Sequence, residues 1–223
     1  EVLWKRRLEG RILDDPAPVQ LPGGSWGMLF NTSDQLHLIN KRGEEVGSYP
    51  IRLPEEATTG VGMAQYQERD GFNSFIGCGQ GAVYGFDRDG NLLADWNPRR
   101  LKAPLLYPVR HFQYDFKDYL LVVSKDSLLV FQRYSGRRFP AVALDGATSG
   151  SPDFQIHPLS SRMVVASETG RVKVVNTEGQ HFNLFLKVGA NRAVRFAFAD
   201  VTCDDRKDYI ALEGQQLSVY TYE

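Results

Sequence analysis

Short stretches of alternating or continuous apolar residues follow one another along this chain, each closed by Gly, Asn, Asp or Pro. They are too short for helices, and their β-branched and aromatic content with bounding turn residues predicts strands. No longer segment carries an apolar stripe at the helical period. Four stretches share one plan of strand, polar turn, strand and glycine: MLFNTSDQLHLINKRG, FIGCGQGAVYGFDRDG, LLVVSKDSLLVFQRYSG and MVVASETGRVKVVNTEG. A fifth, YIALEGQQLSVYTYE, stops where its glycine is due. The closing glycines Gly43, Gly90, Gly136 and Gly179 are 43 to 47 residues apart. Lys117-Asp118-Tyr119-Leu120 in the third copy returns almost literally as Lys207-Asp208-Tyr209-Ile210 in the fifth.

Each copy is preceded by a further strand, beginning near Ala17, Val61, Val109, Pro152 and Val194. After each closing glycine a fourth strand is expected: VGSYPIRL, LLADWNP, RFPAVAL and HFNLFLKV. A four-strand unit at this period is the blade of a β-propeller. The expected fold is therefore all-β: one domain over residues 1–223, a five-bladed propeller of four-stranded antiparallel blades. The blades fall near residues 17–54, 61–101, 109–145, 152–188 and 194–223. The last lacks its fourth strand, and residues 2–10, VLWKRRLEG, resemble the fourth strands. They are expected to pair into the last blade and close the ring, with Lys5, Arg6 and Arg7 blunting an exposed edge. The alternative is a fragment of a larger propeller.

The turn-and-strand pattern resembles a degenerate quinoprotein-type (PQQ-like) propeller repeat, whose blades end in an Asp-x-x-Gly turn and a tryptophan strand. Asp87-Arg88-Asp89-Gly90 with Trp96 is the fullest copy, and Asn40–Gly43 and Asn176–Gly179 are looser ones. Asp200-Val201-Thr202-Cys203-Asp204-Asp205-Arg206-Lys207-Asp208 resembles an FG-GAP-type repeat. Taken whole, the chain is similar to C-terminal propeller regions of large bacterial envelope proteins without assigned activity, through LWKRRLEG, MLFNT, QLHLIN and IRLP. That resemblance implies a binding or scaffolding propeller, WD40-like in use, outside the cytoplasm in the periplasm or cell envelope. It implies no catalytic residues and no cofactor. No vicinal cysteine pair is present to stack on a quinone.

Charge alters this picture little. Lys+Arg number 26 against Asp+Glu 27, a formal charge of -1, which argues against nucleic acid held by phosphate neutralisation. Apolar runs stop at strand length, so no direct membrane insertion is expected. The chain opens at Glu1 rather than a methionine, as a processed chain or excised domain would. Cys78 and Cys203 form no CxxC pair and no zinc spacing. The four histidines fall on separate repeats, where strand packing with a hydrogen-bonded tip is expected. Asp200, Asp204 and Asp208 have the look of calcium ligands, but Thr202 and Asp205 stand where a carboxylate and the turn glycine belong. A hairpin held by Asx hydrogen bonds is expected instead, with no metal.

A glycan-acting enzyme is the alternative function, because glycosidases use paired carboxylates. The first strands offer only Asp153 and Asp200, beside Gln20, Gln65, Arg110 and Gln113. Binding residues are expected on the loops into the first strands, since loops on a rigid scaffold carry function. The longest, NPRRLKAPLLYP at residues 97–108, mixes Arg99, Arg100 and Lys102 with Leu105, Leu106 and Tyr107. Arg and Tyr are favoured at protein contacts. The expected ligand-binding residues are Arg99, Arg100, Tyr107, Arg110, Ser151 and Arg192, engaging a protein or glycan through one ring face of a monomer.

Overall fold

The computed structural model describes residues 2–65, 71–96, 99–124, 127–136, 138–139, 142–143, 155–156, 162–166, 171–176, 181–185, 194–204 and 208–221. Among them lie five antiparallel sheets. The first comprises β1 (Ala17–Gln20), β2 (Trp26–Asn31), β3 (Gln35–Asn40) and β4 (Ile51–Arg52), and the second β5 (Gly62–Gln65), β6 (Phe72–Cys78), β7 (Ala82–Phe86) and β8 (Arg99–Arg100). The third holds β9 (Arg110–Tyr114), β10 (Lys117–Val123), β11 (Ser127–Gln132) and β12 (Val142–Ala143). The fourth holds β13 (Gln155–Ile156), β14 (Arg162–Ala166), β15 (Arg171–Asn176) and β16 (His181–Phe185). The fifth has three strands, β17 (Val194–Ala199), β18 (Asp208–Glu213) and β19 (Gln216–Tyr220). Strands pair in sequence order, as expected of hairpin-linked repeats. The chain divides into two compact units, residues 1–111 with 120–124, and residues 112–119 with 125–223.

In the first unit the core lies between sheets one and two. Leu29, Leu36 and Leu38 from the first meet Phe72, Ile76, Tyr84 and Phe86 from the second. The opposite face of the first sheet is buried as well, through Phe30, His37 and Ile39. Burial on both faces explains why these strands read as continuous apolar runs rather than clean alternation.

The fourth strands of the first three sheets are shorter and later than the apolar pattern suggests. After its closing glycine each chain makes a single bridge back to the third strand, at Ile39 and Glu45, Phe86 and Leu92, and Phe131 and Arg138. In the first two sheets it then turns tightly, Tyr49 N–H donating to Val46 O at 3.3 Å and Trp96 N–H to Leu93 O at 3.1 Å. That turn drops Tyr49 and Trp96 into the core and postpones pairing to two residues. Trp96 Nε1 donates to Val83 O at 3.0 Å and its ring meets Phe75 edge-on at 5.2 Å. The apolar residues in these segments are thus anchors rather than strand positions.

The same segments join neighbouring sheets. Ser48 Oγ donates to Asp89 O at 2.6 Å and Tyr49 OH to Arg88 O at 3.1 Å, so the first sheet grips the closing turn of the second. Gly90 adopts φ 87°, and a Cβ there would lie 2.6 Å from Ile51. The glycine serves both the left-handed backbone and the close approach.

Residues 2–8 form no strand, and β19 has no fourth partner among the described residues. The segment expected as a fourth strand is thus extended chain without strand pairing of its own over residues 2–8. Trp4 Nε1 instead donates to Lys41 O at 3.0 Å, and Arg6 donates to Gly43 O at 2.9 Å and Glu45 at 2.7 Å. A Cβ on Gly43, at φ 79°, would lie 2.8 Å from the Trp4 ring. The likeness to fourth-strand segments lies in this contact: residues 4–6 hold the turn at Gly43 as residues 48–51 hold the turn at Gly90.

Trp4→Ala should therefore lower stability by about 1–3 kcal/mol, the range for loss of a packed contact, rather than the few tenths of a free tail. Urea unfolding measures it, and a midpoint equal to that of the parent would show the segment to be a loose end.

Candidate functional site

The segments entering β5 and β9 follow one construction. In the first, Ala57 bridges Cys78 and Thr58 N–H donates to Gly77 O at 2.8 Å. In the second, Leu105 bridges Ser124 and Leu106 N–H donates to Val123 O at 2.9 Å. Each connector thus adds a short rung beside the end of a second strand. Ala57 and Leu105 turn inward and are buried, while the next residues, Thr58 and Leu106, face solvent, Leu106 at 43%. Period-two alternation sets this inward-outward order. Bonded backbone here displays Leu106 to solvent, while Thr58 Oγ1 also donates to Gly77 O at 3.2 Å.

The sequence-predicted residues fall on this frame in different ways. Arg99 and Arg100 are β8 itself, paired with Val83 and Ala82, rather than loop positions. The Arg99 guanidinium lies 5.2 Å above the Trp96 ring, a cation–π contact. Arg100 reaches Glu55 Oε1 at 2.6 Å and keeps 63% of its side chain exposed. Tyr107 is half-buried and Arg110, the first residue of β9, is exposed. Ser151 and Arg192 lie outside the described residues.

Glu55 was not singled out by sequence reasoning, yet it organises the first connector. Its Oε1 accepts from Tyr84 OH at 2.7 Å as well as from Arg100. Those two bonds, Tyr84 first, hold its carboxyl below the ordinary value. Tyr84 is pushed up, by burial and then by the bond to Glu55. Cys78 is fully buried nearby, and burial together with the Glu55 charge pushes its thiol up to about 12. A thiol held protonated is a poor nucleophile. Tyr84 sits inside the apolar run AVYGF, so only the position of its hydroxyl reveals the partner of Glu55.

His37 behaves as a packed strand histidine with a bonded tip. It stacks on Phe30 at 5.0 Å, and Nδ1 donates to Glu45 Oε1 at 2.9 Å. An ionised carboxylate only accepts, which fixes the proton on Nδ1. Arg6 shares that oxygen.

In the last sheet, Asp208 is buried and its Oδ2 accepts from Val201 N–H at 2.9 Å, Thr202 N–H at 3.0 Å and Thr202 Oγ1 at 3.1 Å. Asp200 Oδ1 accepts from Asp204 N–H at 3.2 Å. This is the Asx-bonded hairpin expected from the sequence, with Thr202 serving as a donor. Burial opposes ionisation of Asp208, but the two N–H groups and the hydroxyl outweigh it and hold its carboxyl below the ordinary value. Among the described residues no group of three His, Cys, Asp or Glu side chains is placed to hold a metal. No helix among them is long and apolar enough to cross a membrane. Of the two first-strand carboxylates, Asp153 lies outside the described residues and Asp200 is bonded as above.

No family model matches the chain, and no curated protein does. Solved structures do. The crystal structure of BBS1N in complex with ARL6DN, soaked with lead, matches 93% of this chain and 64% of that chain, with TM-score 0.64 and 12% identity. BamB from Moraxella catarrhalis matches 96% of this chain and 63% of its own, with TM-score 0.64 and 15% identity. Both are β-propellers. The fold is a β-propeller. The chain spans less than two thirds of the length of these structures.

Two outcomes follow for the acidic hairpin. Because Asp208 has a folded value below its unfolded one, its contribution is present at neutral pH and is lost as pH falls through the folded value. Asp208→Asn should therefore melt lower than the parent at pH 7, the gap closing below about pH 3.9. A gap that persists unchanged at pH 2 would show the charge to be irrelevant. With its oxygens bonded to the backbone, the hairpin should also melt alike in chelator and in millimolar calcium. Saturating a structural site at a hundred times its dissociation constant would instead add about 2.7 kcal/mol.

Proposed function

We propose that this chain is a non-catalytic binding or scaffolding propeller, part of a larger bacterial envelope protein in an extracytoplasmic compartment. It engages a protein partner through the end of its sheets that carries the connectors. The supporting observation is the shared build of residues 53–62 and 101–110: backbone rungs at Ala57 and Leu105 fix each connector, and Thr58, Leu106 and Arg110 face outward. An exposed leucine beside a tyrosine and an arginine suits a protein contact, where aromatic and Arg anchors carry most of the binding energy. That a propeller neighbour, BBS1N, was solved in complex with ARL6DN supports the same use of the fold. Arg99 and Arg100 contribute through Trp96 and Glu55, by fixing the frame, with the exposed part of Arg100 at its rim.

Affinity capture from an envelope extract of the source cell tests the reading. The triple variant Leu106→Ala/Tyr107→Ala/Arg110→Ala should lose about tenfold or more in recovery of the partner that the parent captures. Trp26→Ala, at the far end of the first sheet, should leave that recovery unchanged. Equal recovery by the triple variant overturns the assignment of this end.

A further inference from the structure

The segment entering β1 repeats the build of the two connectors already described. Leu13 N–H donates to Asn31 O at 3.1 Å, as Thr58 N–H does to Gly77 O and Leu106 N–H to Val123 O. Leu13, Thr58 and Leu106 are thus equivalent positions on successive connectors, and all three are exposed, Leu13 at 36%. The connectors also abut one another. Asn31 Nδ2 donates to Thr59 O at 3.1 Å, a Cβ on Gly60 would collide with the Asp14 side chain, and one on Gly62 would collide with Val109 O. Together they make one continuous surface, with Thr58 in the middle and a leucine on either flank.

Charge divides that surface. The flank at the first connector carries Asp14 and Asp15, with Asp34 in the adjoining β2–β3 turn, against Arg11. The flank at the third carries Lys102 and Arg110, and no carboxylate occurs between Asp95 and Asp115. In the middle, Glu55 is held by Arg100, and the exposed Arg52 and Glu56 offset one another. Asp14, Asp15, Lys102 and Arg110 are exposed and form no ion pair among the described residues.

A surface negative on one flank, balanced in the middle and positive on the other is complementary to itself. Turned about a two-fold axis through Thr58, it sets Leu13 opposite Leu106 of a second copy. The same rotation sets Asp14 and Asp15 opposite Lys102 and Arg110, and does so twice over. Such isologous contacts are the commonest way for identical chains to pair. A partner of uniform charge would attract one flank and repel the other. We propose that the connector end is a homodimer interface, its occupant a second copy of this chain, in place of the monomer expected from the sequence. This rests on the reading of that end as the contact surface and names the partner.

Analytical ultracentrifugation of the purified chain over roughly 1–500 μM tests the pairing. Two variants of exposed residues accompany it: Asp14→Lys/Asp15→Lys, which makes both flanks positive, and Lys102→Glu/Arg110→Glu, which makes both negative. The parent should dimerise within that range. Each variant alone should dimerise about tenfold more weakly or worse, because like charges then face each other across the axis, with its circular dichroism spectrum unchanged. An equimolar mixture of the two should form a heterodimer at least as tight as the parent dimer, since each positive flank then meets a negative one. A parent that stays monomeric, variants that dimerise like the parent, or a mixture that stays monomeric overturns the proposal. The capture experiment keeps the two readings apart. A monomeric parent that recovers a different protein, lost with Leu106→Ala/Tyr107→Ala/Arg110→Ala, retains the contact surface and discards the second copy.

Discussion

The first unit depends on the joint at the closing glycines. A propeller sheet must bury both faces, so each must approach the next closely enough to exclude water yet present a bonded backbone there. At Gly90 the two demands meet in one residue. The turn requires a positive φ, the approach of Ile51 leaves no room for a Cβ, and the turn carbonyls of Arg88 and Asp89 accept bonds from Tyr49 and Ser48. At Gly90 the closing glycine is thus a contact between sheets, not merely a reversal of chain direction.

That origin explains what could be read from the sequence. The first three strands of every repeat were legible: β1, β5, β9, β13 and β17 begin within a few residues of the expected starts, and the central pairs follow the apolar runs. Their signal is local, since strand propensity and turn residues act over a few positions. The fourth strands of the first three sheets read too long, and β8 follows its expected segment, because the same apolar residues can extend a strand or anchor a turn. Tyr49 and Trp96 do the second. Only the neighbour that receives the aromatic ring decides between them, and that neighbour is remote in sequence.

Side-chain chemistry was less legible for the same reason. Arg99 and Arg100 stood out as a basic pair in a loop, yet one covers Trp96 and the other meets Glu55, more than forty positions upstream. Asp208 was readable because its partners, Val201 and Thr202, lie within the same hairpin. Trp26 went unremarked: an apolar residue in an apolar run carries no mark of exposure.

The hold of Trp4 and Arg6 on the turn at Gly43 also decides how this domain bears load. Tension applied at the N-terminal residues passes first into three hydrogen bonds at Lys41, Gly43 and Glu45, before any reaches β1. Those bonds close on positions 37 to 39 residues downstream, so the first sheet is clasped from its far end and pulled as a block. A tether on that side would find a mechanical clamp where the chain order alone suggests a strand that peels away from its edge.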